Sequence, residues 1–330
     1  MSIRIIKPGV FDTVQDAGRY GLQHLGINPG GAADMVAYSV ANMLVGNTLG
    51  EAVIEMYYTA PTILFEKDAM IALSGADFSA SLNGTPVPIN TPLAVAAGTL
   101  LECTKIVTGN CCYLAIRGGL EIDVWLGSYS TNVKAQAGGH NGRKLQAGDV
   151  IPFKKRFDFH NLTAGQTFFK FGWRADVAPL YSEKNVIRIC KGREYNSLCL
   201  ASKNVLVNTG FTITPQSDRM GCRLQGLPLQ RVDNTELVST GVTKGTIQLL
   251  PSGQLVALMA DHQTTGGYPR IAHVASVDLP KLAQMQTGKE LAFICIDEEK
   301  AETLLIQQHQ YLYQLQLACS LRLEEVLGSR

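Results

Sequence analysis

The sequence predicts a mainly β protein made of two related units, and three observations support this. The chain has 330 residues, about twice the length of a typical domain. Most of it consists of short runs rich in β-branched residues, separated by Gly, Pro, Asn and Asp. Segments of the first half also recur, in the same order, in the second half. Runs of this length and spacing are typical of barrels or sandwiches, not of a parallel sheet with crossover helices.

The internal repeat predicts duplication of one β-rich unit. We therefore expect an N-terminal domain over 1–180 and a C-terminal domain over 181–330, with the boundary within ADVAPLYSEK at 175–184. The matched segments, in chain order, are IRIIKPG (3–9) with IRICKG (187–192), TVQDAGRYG (13–21) with TPQSDRMG (214–221), and YLAIRGG (113–119) with VALMADHQTTGG (256–267).

Helical signals are few. Asp34 is a suitable N-cap for a helix that begins in MVAYSVANMLVG and stops at Gly46. Asp297 is a suitable N-cap for a long C-terminal helix. This second helix is rich in Gln, so we expect much of it to face solvent.

Composition and charge exclude several function classes. The net charge is +1, from 29 basic and 28 acidic residues, which gives no electrostatic reason to expect a nucleic acid or an anionic membrane as partner. The N-terminal apolar run is short for a secretory signal, and no apolar stretch approaches the ~20 residues of a membrane span. The eight cysteines form no CxxC pair, and the six histidines are dispersed, so we expect reduced thiols, no metal site and a cytoplasmic protein. The expected partners are small molecules or proteins.

A cluster of polar residues follows an apolar strand at DHQTTGGYP, residues 261–269. Adjacent glycines let a backbone approach a ligand closely, and Asp261 and Tyr268 supply groups for proton transfer or hydrogen bonding. A polar turn that bonds its own backbone explains the same composition. Both interpretations stay open from the residues alone.

Two other segments are candidate anion sites. Arg219, within TPQSDRMG, could hold a carboxylate or phosphate through its planar guanidinium, or could be an ordinary surface arginine. The Gly-rich segment 127–149 contains Arg143 and Lys144 but lacks the GxxxxGK[ST] spacing of a phosphate loop. We therefore expect a flexible loop or lid there, with anion binding as the alternative.

Several long motifs together resemble one known family. They are TVQDAGRYGLQHLGINPGGAADMVAYSVANMLVGN, LSGAD, GSYSTN, GRKLQAGD, SDRMGCRL, GTIQLLPSGQ and DHQTTGGYPRIAHV. In this order they resemble the biotin-dependent carboxyltransferase family, which includes the C subunit of 5-oxoprolinase and the matching region of urea amidolyase. The resemblance runs from about residue 3 to about residue 297.

The resemblance implies two cyclophilin-like β-barrel domains and a component of an ATP-dependent 5-oxoprolinase, which hydrolyses 5-oxoproline to glutamate. It implies partner proteins, one similar to the B subunit of 5-oxoprolinase and a further one similar to the A subunit. One alternative is a carboxyltransferase component of a urea carboxylase-like enzyme, with biotin supplied by a separate carrier. Another is a non-catalytic regulatory protein that antagonises a kinase inhibitor.

The resemblance also suggests which residues form the site. Asp261, Tyr268 and Arg219 match positions expected to be catalytic. His262 stands where the family pattern has arginine, and this is a departure from that pattern. The residues expected to bind substrate are Gln263, Thr264, Thr265, Gly266, Gly267, Ser217, Asp218 and Met220.

Overall fold

The computed structural model describes residues 2–163, 165–181, 185–233 and 236–328, with only the backbone of His160. Contacts between residues divide the chain into two compact units. Unit 1 comprises Met1–Arg19, Asp34–Leu180 and Gln310–Arg330, and unit 2 comprises Tyr20–Ala33 and Tyr181–His309. The expected boundary segment 175–184 includes residues 182–184, which lie outside the described residues. The division into cyclophilin-like domains 1–180 and 181–330 stays a prediction.

Unit 1 contains two six-stranded sheets. One has the strand order β11-β1-β4-β9-β6-β7, and the other has the order β12-β8-β5-β10-β3-β2. The strands are β1 (Ser2–Lys7), β2 (Thr13–Gln15), β3 (Val53–Tyr57), β4 (Thr62–Phe65), β5 (Ala69–Asp77), β6 (Ala80–Leu82), β7 (Thr85–Pro86), β8 (Pro92–Val95), β9 (Leu100–Cys103), β10 (Thr108–Ile116), β11 (Val150–Pro152) and β12 (Phe168–Lys170).

The core of unit 1 follows from the alternation of side chains along its strands. In β1, Ile3 and Ile5 are fully buried, whereas the intervening Arg4 is partly exposed. Successive side chains in a strand point to opposite faces, so SIRIIK leaves Ile6 exposed and places Ile3 and Ile5 in the core. Ile3 and Ile5 pack with residues of both sheets in one cluster, including Ile54, Leu73 and Leu114.

Helix α1 (Met35–Leu44) packs against β5 and β10 in unit 1. The Asp34 carboxylate accepts hydrogen bonds from the backbone N–H groups of Val36 (3.0 Å) and Ala37 (2.9 Å). These bonds satisfy two of the amide groups left free in a first helical turn. The sequence prediction of this helix and its cap is confirmed. A second, four-residue helix in unit 1 is α2 (His160–Thr163).

Unit 2 contains a closed barrel of seven strands in the order β13-β20-β17-β18-β15-β14-β21. The barrel closes through a parallel pair, β13 with β21, and its other pairs are antiparallel. The barrel strands are β13 (Val186–Lys191), β14 (Gly210–Ile213), β15 (Gly221–Gln225), β17 (Thr246–Leu249), β18 (Leu255–Leu258), β20 (Arg270–Val274) and β21 (Glu290–Cys295); β16 (Thr240–Gly241) and β19 (Thr265–Gly266) form a separate two-stranded ribbon.

The first strand of unit 2 repeats the pattern of β1. In β13, Ile187 and Ile189 are fully buried and alternate with Arg188, which is partly exposed. Three helices follow in the chain: α3 (Leu200–Asn208), α4 (Leu279–Gln284) and α5 (Glu298–Leu327). The Asp297 carboxylate accepts a hydrogen bond from the N–H of Lys300 at 2.8 Å, as predicted for the start of α5. Residues 298–309 of α5 group with unit 2 and residues 310–327 with unit 1.

The predicted mainly β fold with few helices is confirmed. The pairing differs between the units, because the described strands close into a barrel in unit 2 and form two sheets in unit 1. No helix in the described ranges combines the length and apolar character needed to cross a membrane.

Candidate functional site

The strand-end site of unit 2 begins where β18 leaves the barrel. The four residues of β18 are buried, as are Met259 and Ala260 after them. Asp261 comes next, and 19% of its side chain is exposed. The apolar run LVALMA is therefore held in the core, and its end places a carboxylate at the boundary between core and solvent.

Arg219 holds this carboxylate in a two-point ion pair. Its Nε donates to Asp261 Oδ2 at 2.8 Å, and its Nη2 donates to Oδ1 at 3.0 Å. Nη2 also donates to the Gly31 carbonyl at 2.7 Å. Only 6% of the Arg219 side chain is exposed, so this is a largely buried guanidinium and not a surface arginine. Paired hydrogen bonds of this kind fix the orientation of both groups.

The backbone brings the two partners together. The N–H of Asp261 donates to the Arg219 carbonyl at 2.7 Å, and the N–H of Met259 donates to the Met220 carbonyl at 2.9 Å. Both bonds extend the β15–β18 pairing past the strand ends. The DHQTTGGYP and SDRMG segments therefore meet because their strands are neighbours in the barrel.

Ser217 and Asp218 use their side chains within their own hairpin. Ser217 Oγ accepts from the N–H of Arg223 at 2.9 Å. Asp218 Oδ1 accepts from the N–H groups of Met220 (2.8 Å) and Gly221 (3.1 Å). Such local bonds are the usual role of Ser and Asp in turns. In this segment only Arg219 has a side chain that reaches Asp261.

The rest of DHQTTGGYP forms a polar edge beside β17. The N–H of Val242 donates to the Thr264 carbonyl at 3.0 Å, and Thr265 and Gly266 form β19. Gly267 follows, and Tyr268 is 46% exposed. The side chain of Tyr268 is therefore open to solvent, whereas the backbone of Thr264 and Thr265 is held by the ribbon.

Gly266 lies close to the amide of Gln248. A Cβ at Gly266 would lie 2.5 Å from Nε2 of Gln248, a contact that needs a shift of that amide. The φ angles of Gly266 and Gly267 lie outside the left-handed region, so backbone conformation does not demand glycine at either position.

Gln248, on β17, is a site residue that sequence reasoning did not select. It is 1% exposed, and its Oε1 accepts from Gln263 Nε2 at 3.3 Å. Its own Nε2 has no hydrogen-bond partner among the described residues. A buried polar group without a partner is uncommon and needs an explanation, of which a role in function is one. The sequence feature that could have indicated Gln248 was a single amide side chain inside the otherwise apolar run TIQLL.

His262 is also buried, at 1% exposure. Its Nδ1–H donates to the Gln263 carbonyl at 2.6 Å, and its own carbonyl accepts from Asn28 Nδ2 at 3.1 Å. Burial lowers the pKa of the imidazole below its usual value, and the positive charge of Lys244 adds to this. A neutral, buried imidazole does not replace the arginine of the family pattern as an anion ligand.

The residue segment 28–33 lies against the same end of unit 2. Lys244 Nζ donates to the carbonyls of Ala32 (3.2 Å) and Ala33 (2.9 Å), while Arg219 bonds Gly31. Sequence reasoning did not find Lys244 or Asn28, because their contacts join positions more than 200 residues apart.

The Gly-rich segment 127–149 is irregular and makes many internal contacts within unit 1, and its role as a flexible loop or lid stays a prediction. Ser128 and Ser130 are fully buried and donate to the carboxylate of Asp16. Arg143 makes two 2.8 Å bonds to Asp149 and lowers the pKa of that carboxyl. Lys144 Nζ donates to the Val10 carbonyl at 3.2 Å. These internal contacts occupy the two cations proposed for anion binding.

A metal centre has no support in the part of the chain that the structure describes. No three His, Cys, Asp or Glu residues there are grouped so that they could hold a metal ion. The strand-end site therefore offers a carboxylate, a guanidinium, two amides, a phenol and backbone groups. Among the described residues, hydrogen bonds join the carboxylate of Asp261 to the guanidinium of Arg219 and the amide of Gln263 to that of Gln248, and Tyr268 makes no hydrogen bond with these groups.

Comparisons with known proteins agree on one family. The family model described as "Carboxyltransferase domain, subdomain A and B" matches residues 25–295. A protein from Escherichia coli K12, named as the C subunit of 5-oxoprolinase, is 37% identical over 313 residues, covering 95% of this chain and 97% of the relative. The protein of the same name from Haemophilus influenzae is 35% identical over 303 residues, covering 92% of this chain and 94% of the relative.

A solved structure gives the same result at the level of the fold. The crystal structure of the K. lactis urea amidolyase matches with a TM-score of 0.85 and 25% sequence identity. The match covers 95% of this chain and 20% of the urea amidolyase chain, so this protein corresponds to about a fifth of that enzyme.

Proposed function

Because the chain belongs to the carboxyltransferase family of subdomains A and B, we propose that it is one component of an ATP-dependent 5-oxoprolinase. In this proposal it acts with partners that resemble the B and A subunits of that enzyme to hydrolyse 5-oxoproline to glutamate. The observation that carries the proposal is the 35–37% identity to two proteins named as the 5-oxoprolinase C subunit, over nearly their full length.

The strand-end site suits a small cyclic amide. A lactam presents one N–H donor and one carbonyl acceptor, and its carbonyl carbon is a poor electrophile until the oxygen is activated. Asp261 would accept the lactam N–H, because Arg219 already fixes the orientation of that carboxylate. Tyr268 and the N–H group of Gly267 would donate to the carbonyl oxygen as negative charge develops there, whereas the N–H of Gly266 faces Thr240 in the β16–β19 ribbon.

The contacts of Arg219 favour a role different from the catalytic one that the resemblance suggests. Two of its donors hold Asp261 and one of these also bonds Gly31, so it positions the carboxylate. We propose Arg219 as a positioning residue, with Asp261 and Tyr268 as the groups that meet the substrate. Gln263 and the threonines at 264 and 265 would form the rim with Tyr268.

ATP does not fit the Gly-rich segment 127–149 of this chain. Arg143 is paired with Asp149, and the Lys144 ammonium bonds a carbonyl. Ser128 and Ser130 are buried against Asp16 and are not available to phosphate oxygens. We propose that the partner proteins hold the nucleotide.

A second candidate is a carboxyltransferase component of a biotin-dependent urea carboxylase-like enzyme. The similarity to the K. lactis urea amidolyase favours it. Asp261 would then position the acceptor nitrogen, and Tyr268 would bond the transferred carboxylate or the ureido oxygen of biotin on a separate carrier. A purely regulatory binding protein would use the same surface without any chemistry.

Reconstitution distinguishes these functions. The chain is co-expressed with its two expected partners, purified by gel filtration, and assayed for ATP-dependent release of glutamate from 5-oxoproline. Co-elution and glutamate release are expected, and the complex should be inactive toward urea. Release of ADP with urea and biotinylated carrier, but not with 5-oxoproline, would favour the carboxyltransferase instead.

Tyr268→Phe tests the site in the same complex. Loss of one hydroxyl that donates to a developing oxyanion should lower kcat by roughly 10²-fold. Tyr313→Phe is the matched control, because Tyr313 is 60% exposed on α5 and lies outside the proposed site. Normal turnover in Tyr268→Phe and in Asp261→Asn would place the chemistry on a partner protein.

A further inference from the structure

Unit 1 contains a cavity of about 370 Å³ that includes none of the residues of the strand-end site. Its volume is within the range of small-molecule sites in proteins. It lies among the end of β10, the segment that includes α2, and the last turn of α5. The lining residues are Arg117, Phe157, Asp158, Phe159, Asn161, Leu162 and Leu327.

Arg117, which lines this cavity, has hydrogen-bond donors without an acceptor among the described residues. Its Nη1 donates to the Val45 carbonyl at 2.8 Å. Within the described residues none of its other N–H groups is bonded, and its Nε is buried without a partner. The guanidinium lies over the Phe157 ring with 4.8 Å between Cζ and the ring centroid. One bond and one ring therefore fix its plane while part of its fork stays unsatisfied.

The guanidinium carries its charge in this position. Burial lowers the pKa of Arg117, but the pKa of arginine is so high that the group stays protonated at neutral pH. An unsatisfied planar cation is best matched by a carboxylate, which can accept two parallel hydrogen bonds.

The other walls define the rest of the ligand. Phe157 and Phe159 are stacked with 6.1 Å between ring centroids, and Leu162 and Leu327 add apolar surface. Asp158, which is exposed, is also a lining residue, and its negative charge opposes a doubly charged anion. The walls therefore favour a single negative charge attached to a flat apolar body.

We propose that this cavity binds a small aromatic monocarboxylate, with the carboxylate on Arg117 and the ring against Phe157 and Phe159. Because Leu327 belongs to the last turn of α5, an occupant also contacts the end of that helix. The site is independent of the proposed 5-oxoprolinase function, and it can be tested on the full chain alone.

The probe is 4-fluorobenzoate, observed by ¹⁹F NMR as the purified full chain is titrated. A ligand of this size with one ion pair is expected to bind with Kd on the order of 1 mM. The neutral isostere 4-fluorobenzamide should bind at least about 10-fold more weakly, because it lacks the charge-assisted pair. Hydrogen exchange of the amides in 320–327 should slow when benzoate is present.

Variants locate the site. Arg117→Gln should weaken 4-fluorobenzoate binding by roughly 10- to 100-fold and leave the benzamide unchanged. Arg174→Gln is the matched control, since it removes the same charge at an exposed position of unit 1. Phe157→Leu keeps Arg117 and should weaken both probes, and it serves as the test if Arg117→Gln does not fold.

Three results would overturn the proposal. The first is that 4-fluorobenzoate does not bind the folded parent protein at 20 mM, about 20 times the expected Kd. The second is equal affinity for the benzoate and the benzamide. The third is parental affinity for 4-fluorobenzoate in folded Arg117→Gln and Phe157→Leu.

Discussion

The two copies of the repeated motif use their acid and arginine in different ways. In unit 1, the carboxylate of Asp16 is buried and accepts from the hydroxyls of Ser128 and Ser130 and from the N–H of Tyr129. In unit 2, the carboxylate of Asp218 is exposed and accepts only from two N–H groups of its own turn.

The arginines differ in the same way. Arg19 is 2% exposed, lies over the Trp125 ring at 4.5 Å, and donates to the Ser130 carbonyl. Arg219 is paired with Asp261, a carboxylate that stays partly exposed. The polar cluster of unit 1 is thus closed by its own loop, whereas that of unit 2 keeps an oriented carboxylate within reach of a ligand. The comparison shows why unit 2 is the better candidate for the active site.

The largest expected effect comes from opening the closed cluster. Asp16→Ala leaves the hydroxyls of Ser128 and Ser130 and the N–H of Tyr129 without their acceptor in a buried place. The free energy of unfolding should fall by about 3–5 kcal/mol, since each buried unsatisfied group costs about 1–3 kcal/mol. Urea denaturation measures this, with the exposed Asp123→Ala as control. A loss below about 1 kcal/mol would contradict the closed cluster.

The next effect concerns the ion pair of unit 2. Arg219→Met removes two hydrogen bonds to Asp261 and one to Gly31, and should cost about 2–3 kcal/mol in the free energy of unfolding. This loss in the free energy of unfolding is smaller than that of Asp16→Ala in unit 1, because the partly exposed Asp261 carboxylate can form hydrogen bonds to water. Adding Asp261→Leu should recover part of the loss, as a double-mutant cycle would show.

The exposed Arg223→Met is the control for this cycle. Additive losses in Arg219→Met and Asp261→Leu would mean that the two side chains do not interact.

A second buried carboxyl of unit 1, that of Asp12, can be tested by the pH dependence of stability. Asp12, four residues before Asp16, has one oxygen bonded to the Gly9 N–H at 2.5 Å and the other without a partner. Burial raises the pKa of this carboxyl to about 7 from a usual 3.8. The folded state therefore binds the proton more tightly, and this contribution to stability is full below pH 3.8 and is lost as the pH rises through about 7.

Asp12→Asn replaces the carboxyl with an amide that does not titrate, so the variant should not lose this stability as the pH rises. Its Tm should exceed that of the parent at pH 8 by roughly 3–6 °C, equivalent to about 1–2 kcal/mol, and the difference should shrink at pH 5. Differential scanning calorimetry at both pH values measures it. A Tm difference that does not change with pH would show that Asp12 is ionised throughout.

The smallest effect is expected at the open turn of unit 2. Asp218→Ala removes two bonds from backbone N–H groups, of which that of Met220 is exposed and can bond water, so it should cost about 0.5–1 kcal/mol. Urea denaturation beside Asp16→Ala compares the two motif acids directly. Equal losses in the two variants would mean that the two motif copies are structurally equivalent.

Much of the fold could be predicted because local patterns agree with it. Alternating isoleucines in SIRIIK and VIRICK became the first strands of the two units, and the Asp34 and Asp297 caps began helices as expected. The exchange of segments between units was not predictable. Residues 20–33 group with unit 2 and the end of α5 with unit 1, and neither carries a local signal for its unit.

The candidate site also has residues that the sequence indicated and residues that it did not. The polar cluster after LVALMA marked the strand end that lies at the barrel rim, and its neighbour Arg219 was selected from the repeat. Gln248 and Lys244 were missed, because each is an ordinary polar residue until the fold places it beside Gly266 or residues 32–33.

The sequence by itself determined the strand periods, the two caps, the family and the segments that carry polar groups, since these depend on neighbours along the chain. Tertiary structure alone decided which polar groups meet. Asp16 meets serines more than 110 residues away, and Arg219 meets Asp261 across adjacent strands. Hydrogen bonds and ion pairs act over about 3 Å, so their partners are fixed only when the strands are paired and packed.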